Sequence, residues 1–400
     1  MQMKEQRRKL AFINVAHFID HYVLLIFPTV VIGLQVELNR SYAELIALST
    51  ACFVAFGLFS LPAGWLGDHW SRRKMIAIFF IGCAVSLGAA AASPNMIVLA
   101  IALFVLGIFA AIYHPIGVTV LLSNTNDRGR DLATNGVFGN LGVAFAPGIT
   151  AFVASWFGWR AAFVVPAIIC LAIGVAFIVM TSEKKENPDG REKTAEVRMN
   201  FATAAIFFGV YAVLSFAGGL VFNTVTVSIP KIIDEGVHGD VPLTWIGSVT
   251  TVVLLFGGVA QLTVGRLVSR FPPHYLFAVI GALQAVGIVW ATVATGFPLL
   301  MALALSIAMI YAQVTVGDVV IARYTADAWR GRIYAVRFFL AFVSSGLAVS
   351  MIAALHGKGG FGLVLSVTMV FAAVFAICTA LIALLAARVE RGDGRLQPAE

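Results

Sequence analysis

Three titratable side chains, His17, Asp20 and His21, fall inside the apolar run from Leu10 to Leu34. Residues at i, i+3 and i+4 share one helix face, so the three project together. At a rise of roughly 1.5 Å per residue, Asp20 lies about 15 Å along the run, near the middle of a hydrocarbon core about 30 Å thick. A charge at that depth costs roughly 2.5–3.5 kcal/mol even on gentle insertion scales, so such groups face a partner or a water-filled path. A buried carboxylate beside imidazoles is chemistry for moving protons, and His114, beside Pro115 in another apolar run, is expected to join it. The same imidazole and carboxylate ligands also suit a divalent metal as cargo. In the second half of the chain, Asp318, Arg323 and Arg337 are the charges within apolar runs. Arg323 sits near the end of its run, where its stem can snorkel to the interface. Asp318 and Arg337 are expected to pair with each other or to bind substrate, with Arg323 and Arg337 as the candidates for holding an anionic part of it. Asn223 is a further candidate ligand for substrate.

The elements that position these groups follow from composition. The chain has 400 residues, of which 60% are hydrophobic and 12% charged. That excludes a soluble globular surface and predicts an all-α polytopic membrane protein. Twelve apolar spans are expected, near 10–34, 43–66, 75–92, 96–122, 132–155, 161–181, 201–232, 244–264, 275–295, 298–324, 333–356 and 361–387. The polar stretch 182–200, with Pro188 and Gly190, reads as a linker between an N-terminal six-helix bundle (1–181) and a C-terminal one (201–400) that ends in a short tail. About 21 Lys and Arg residues fall on the side of the N-terminus against 4 on the other, which predicts both termini in the cytoplasm. The basic residues are scattered through short loops, so nucleic acid is not an expected partner. Cys52, Cys83, Cys170 and Cys378 all lie in apolar runs, with no disulfide framework expected.

Three landmarks recur at a spacing of about 202 residues: Pro28 with Pro230, Gly64-Trp65-Leu66 with Gly265-Arg266-Leu267, and Arg128-Gly129-Arg130 with Arg330-Gly331-Arg332. A repeat of this kind predicts two pseudo-symmetric halves around a central path. Pro115 removes a backbone hydrogen bond and frees the carbonyl of Ala111, which predicts a bend beside His114. Gly218-Gly219 and Pro230 predict an interrupted or flexible seventh span.

The stretch Gly64-Trp65-Leu66-Gly67-Asp68-His69-Trp70-Ser71-Arg72-Arg73-Lys74 resembles the loop signature of the major facilitator superfamily, Gly-x-Leu-Ala-Asp-Arg-x-Gly-Arg-Arg/Lys. Gly64, Leu66, Asp68, Arg72 and Arg73 keep that pattern, while His69 and Ser71 depart from it. The resemblance implies a conformational latch built from Gly64, Asp68, Arg72 and Arg73. Gly158-Trp159-Arg160 is also common in the superfamily. Span five, with Ala133, Gly142, Ala146-Pro147 and Thr150-Ala151, is similar to the glycine- and proline-rich motif of proton antiporters, and such small residues equally serve close helix packing. His17-Phe18-Ile19-Asp20, Tyr113-His114-Pro115 and Gly139-Asn140-Leu141-Gly142 look like the branch containing fosmidomycin-resistance exporters. That likeness adds Tyr113 and Asn140 to the substrate-binding candidates and implies proton-driven movement of a small molecule.

The expected function is therefore a secondary active transporter of the bacterial inner membrane and not an enzyme: a monomeric, proton-coupled exporter of a small anionic or drug-like organic compound. Asp20, His17, His21 and His114 would carry the coupling, with no cofactor and no resident metal. Uptake of an organic anion, or of a divalent metal through the His17/Asp20/His21/His114 cluster, is the alternative.

Overall fold

The computed structural model describes residues 2–125, 127–182, 201–237, 239–325 and 327–391. Most of the expected linker, residues 183–200, and the end of the tail with Arg395 lie outside the described residues, as do the side chains of Arg128, Arg330 and Arg332.

Every regular element is helical. In lipid no water is at hand for a free N–H or C=O, and a helix satisfies its backbone within one segment. In chain order these are α1 (Gln2–Leu38), α2 (Tyr42–Ala47), α3 (Thr50–His69), α4 (Arg72–Ala91), α5 (Met96–Ala110), α6 (Tyr113–Ser123), α7 (Arg128–Phe157) and α8 (Ala161–Met180), followed by α9 (Phe201–Gly236), α10 (Leu243–Leu267), α11 (Pro273–Val293), α12 (Gly296–Tyr324) and α13 (Asp327–Glu390). Side-chain caps start several of them. Ser71 Oγ accepts from Lys74 N at 3.1 Å, Asn95 Oδ1 from Val98 N at 3.0 Å and Asp127 Oδ1 from Arg130 N at 3.1 Å.

Among the described residues eleven helical stretches are long and apolar enough to cross a membrane. The last, Phe339–Glu390, has 52 residues, about twice what one crossing needs. Its backbone leaves the helical region at Gly359 and Gly360, the latter at φ 59°, a conformation open to glycine and strained for other residues. Glu390, at the end of α13, bonds Tyr324, which lies just before its start. The chain therefore doubles back at Gly359–Gly360, and this stretch makes two crossings.

Two expectations on helix continuity change. The fourth span is divided into α5 and α6 by a turn at Ala111–Ile112, and Pro115 then falls in the first turn of α6, where a missing N–H costs no intrahelical bond. The seventh span is not interrupted: α9 runs through Gly218, Gly219 and Pro230. Its glycine pair serves close packing instead. A Cβ on Gly218 would stand 2.8 Å from the Phe375 ring, and one on Gly219 would stand 2.3 Å from Ser344 Oγ.

Helix pairing repeats between α1–α8 and α9–α13. α1 packs on α7 as α9 packs on α13; α4 packs on α8 as α11 packs on α13; α3 packs on α5 as α10 packs on α12. The two sets meet along α7–α10 and α3–α13. Small residues set these seams. A Cβ on Gly247 would come 2.7 Å from the Pro147 carbonyl oxygen, Gly148 N donates to Thr251 Oγ1 at 3.1 Å, and Ser345 Oγ donates to Phe53 O at 3.2 Å. Tyr42, 1% exposed, stands between the sets with its ring 4.8 Å from His356 and 5.7 Å from Phe361. The small residues of span five thus serve close helix approach.

The tightest approach onto the Asp20 helix is at Gly142, where a Cβ would lie 2.2 Å from the Phe18 carbonyl oxygen. Two backbones cannot yield as a side-chain tip can. Gly142→Ala is expected to cost about 1–3 kcal/mol, the usual range for forced overpacking. A lower thermal-unfolding midpoint in detergent would show it, and an unchanged midpoint would refute it.

Candidate functional site

α1 carries His17, Asp20 and His21 on one face, as the spacing predicts, and α6 brings His114 against them. His114 Nε2 lies 3.2 Å from Asp20 Oδ2. Asp20 is fully buried, and neither of its oxygens accepts an aligned hydrogen bond among the described residues. The three imidazole rings face one another, with centroids 5.0 Å apart for His17–His21, 5.3 Å for His21–His114 and 5.5 Å for His17–His114. His17 also stacks on Tyr113 at 4.8 Å. One ligand nitrogen from each histidine lies within 4.8 Å of the others, so the three could hold a metal ion.

The organiser of this cluster is Asn135 on α7, which no feature of the sequence singles out. Its carbonyl oxygen lies 2.8 Å from His17 Nδ1, its Oδ1 accepts from Tyr113 OH at 3.1 Å, and its Nδ2 donates to Asn14 Oδ1 at 3.0 Å. One buried amide thus joins α1, α6 and α7. A carbonyl can only accept, so this contact puts a proton on His17 Nδ1, and in the neutral ring the lone pair is then on Nε2.

His21 and His114 open onto a cavity of about 240 Å³ between the two helix sets. Phe53 and Phe56 line it on the same side, with Phe222, Phe277 and Phe375 opposite. Its polar groups from the C-terminal helices include Arg337, Asn223, Gln313 and Ser215. Arg337 is ion-paired with Asp318, as expected, and also donates to Val314 O at 3.4 Å. Asn223 donates to Gly219 O at 2.8 Å. Gln313 is 7% exposed, and its Oε1 accepts no hydrogen bond among the described residues. The cavity is thus apolar-walled, with the imidazoles of His21 and His114 on one side and a guanidinium on the other.

Of the substrate candidates, Arg337 and Asn223 reach the cavity and four do not line it. Tyr113 lies behind His17, fully buried on Asn135. Asn140 is turned across the α7–α10 seam and donates to Gln261. Asp318 is paired with Arg337. Arg323 sits at the end of α12, paired with Glu390 at 2.9 Å.

The sequence profile described as Major Facilitator Superfamily matches residues 10–244. The chain belongs to this superfamily. Among the curated relatives of this superfamily member are a probable L-galactonate transporter of Escherichia coli (strain K12), 27% identical over 44% of this chain and 39% of that protein, and a chloramphenicol resistance protein of Streptomyces lividans, 28% identical over 56% of each. A cis,cis-muconate transport protein of Acinetobacter baylyi is 28% identical over 39% of this chain and 38% of its own length. These alignments span about two-fifths to just over half of the relatives. The crystal structure of a bacterial homolog to human lysosomal transporter Spinster, inward-facing and unoccupied, superposes with a TM-score of 0.75 at 15% identity, covering 100% of this chain and 99% of that one. The fold is thus that of the superfamily across the whole chain, and the chain is a membrane transporter, not an enzyme.

In this superfamily member the loop joining α3 and α4 is tied down within the first helix set. Asp68 pairs with Arg72 at 3.2 Å, while Arg73 Nε donates to Thr181 O and Oγ1, each at 3.1 Å, beyond the end of α8. Gly64 faces Pro115 of α6 at ordinary van der Waals distance. A Cβ at Gly67 would stand 1.9 Å from Ile116 Cδ1, so glycine there lets α3 approach α6.

Proposed function

We propose that the protein is a proton-coupled secondary transporter that exports a small, anionic or drug-like organic compound by alternating access. The observation that carries this reading is the cavity between the two helix sets, with Asp20–His114 behind one wall and Arg337 on the other. A ligand there touches both sets, so its binding energy can differ between two arrangements of them, which is the condition for shifting their populations. One proton shared by an imidazole and a buried carboxylate is a second such bias when the two arrangements bind it differently. The repeated helix pairing supports two six-helix halves, 1–181 and 201–400, joined by the 182–200 linker, working as a monomer. The Lys/Arg asymmetry supports cytoplasmic termini in an inner membrane. Asp68, Arg72 and Arg73 with Gly64 would brace the cytoplasmic ends as the halves move.

The relative named for chloramphenicol resistance supports export, and the likeness to the fosmidomycin-resistance branch agrees with it. Uptake of an organic anion is the second reading, favoured by Arg337 in the cavity and by relatives named for galactonate and muconate, both carboxylates. A thermal-shift screen of the purified protein over carboxylates, phosphonates and antibiotics at two pH values is expected to find stabilising ligands. Those ligands should then be moved by a pH gradient in proteoliposomes, and the sign of the gradient that drives accumulation decides direction. If no member of the screen stabilises the protein, or transport of stabilising ligands ignores the gradient, the reading fails.

A further inference from the structure

We propose that His17, His21 and His114 form a binding site for a divalent transition-metal ion of the zinc type, open on one side to the cavity, and that occupation of this site arrests transport. The arrest rests on the transport reading above; the binding does not.

Neutral imidazole is a common ligand for such ions, and three histidines with one open position form a recurrent zinc set. The ligand nitrogens lie within 4.8 Å of one another. A tetrahedral ion with Zn–N bonds of about 2.05 Å needs nitrogens roughly 3.4 Å apart, so turning the rings by about 1 Å closes the set.

Outer partners of the kind that orient metal-bound histidines are already in place. The Asn135 carbonyl oxygen, 2.8 Å from His17 Nδ1, leaves the Nε2 lone pair for a metal. Space beside that atom exists only because residue 139 is glycine: a Cβ there would stand 2.5 Å from His17 Nε2. Asp20 Oδ2, 3.2 Å from His114 Nε2, makes the carboxylate–imidazole pair that raises ligand basicity, and it supplies negative charge beneath the cation. His21 makes no hydrogen bond among the described residues. His21 and His114 both line the cavity, so the fourth position is open to water or to a ligand's oxygen.

The contrasting cluster in the molecule lacks these features. His274 contacts Tyr324 and Glu390, but Arg323 lies on the same carboxylate at 2.9 Å and would repel a cation.

The test uses the full chain carrying a histidine-free tag, chelator-treated and titrated with Zn²⁺ alone by calorimetry. One Zn²⁺ per chain is expected, with at least tenfold weaker binding in His17→Gln and His21→Gln. Gly139→Ala should also weaken binding although every imidazole remains, and His274→Gln should bind as wild type does. Where a variant fails to fold, the Co²⁺-loaded wild-type protein decides: an intense visible spectrum typical of four-coordinate cobalt supports the site, and a weak octahedral spectrum overturns it. Absence of Zn²⁺ binding, or full binding retained in both histidine variants, also overturns it. Substrate exchange in proteoliposomes without a pH gradient should stop when Zn²⁺ is added and resume with chelator; exchange that continues with the site loaded refutes the arrest. Failure of pH-driven transport would sink the coupling reading and leave the calorimetry standing.

Discussion

Asp20→Asn is expected to leave substrate exchange running while abolishing accumulation driven by a pH gradient. The substitution keeps the shape of the side chain and removes its capacity to hold an exchangeable proton. Asp20 is fully buried, with His114 Nε2 at 3.2 Å, and among the described residues no other carboxylate joins the histidine cluster. A gradient of about 2 pH units stores about 2.7 kcal/mol per proton, or roughly 100-fold accumulation at one proton per substrate. The asparagine protein should reach a ratio near 1 while counterflow of labelled substrate continues. Full gradient-driven accumulation by Asp20→Asn would remove this residue from the coupling. The variant should also be no less stable than wild type, because burying a carboxylate is costly even beside an imidazole. Its unfolding midpoint separates lost coupling from lost fold.

The second large effect concerns Arg337. Its side chain is 15% exposed, lines the cavity and is neutralised by Asp318, which is 46% exposed. An anionic ligand must therefore compete with Asp318 for the guanidinium. Arg337→Ala should weaken binding of anions by about 10- to 100-fold, equal to about 1.4–2.8 kcal/mol. Asp318→Asn should act in the opposite direction and tighten anion binding, because the competitor is gone. Arg337→Lys should recover only part of the affinity, since an ammonium cannot make the planar two-pronged contact of a guanidinium. Neutral ligands held by the phenylalanine walls should respond little to any of the three. Equal losses for neutral and anionic ligands in Arg337→Ala would show that the residue shapes the cavity and does not recognise charge. The measurement is calorimetric affinity for one anionic and one neutral ligand from the thermal-shift screen.

The tie of Arg73 to Thr181 and Ile178 bears on the superfamily loop. Its signature implies a conformational latch, and the contacts seen join α4 to the end of α8 inside one helix set.

The length of the apolar runs placed the helices, because lipid leaves the backbone no alternative and a crossing needs about 20 apolar residues. The same logic put His17, Asp20 and His21 on one face, since i, i+3 and i+4 spacing is local geometry. The superfamily was legible in the Gly64–Lys74 loop for the same reason: a tight turn between capped helices is written in consecutive residues. The pairing of Asp318 with Arg337 was legible too, because an intramembrane charge has few partners to choose from.

What joins those faces is not local. Asn135 is an ordinary amide in a helix, and only the meeting of α1, α6 and α7 makes it the anchor of His17 and Tyr113. Asn140 and Tyr113 stand in motifs that point to substrate, yet helix rotation turns one into the α7–α10 seam and buries the other. Gly218-Gly219 with Pro230 were expected to make α9 interrupted or flexible, and the helix runs through with neighbouring side chains filling the space at the glycines. Sequence by itself determined the membrane class, the helical nature of the apolar runs, the superfamily loop and the polar face of α1, because each depends on residues within a few turns of one another. Tertiary structure alone decided which polar groups look into the cavity, how the expected His114 is seated on Asp20, and how near the three imidazoles lie to one another. Those outcomes depend on the rotation and approach of helices distant in the chain, which small residues such as Gly142, Gly139 and Gly247 set by contact.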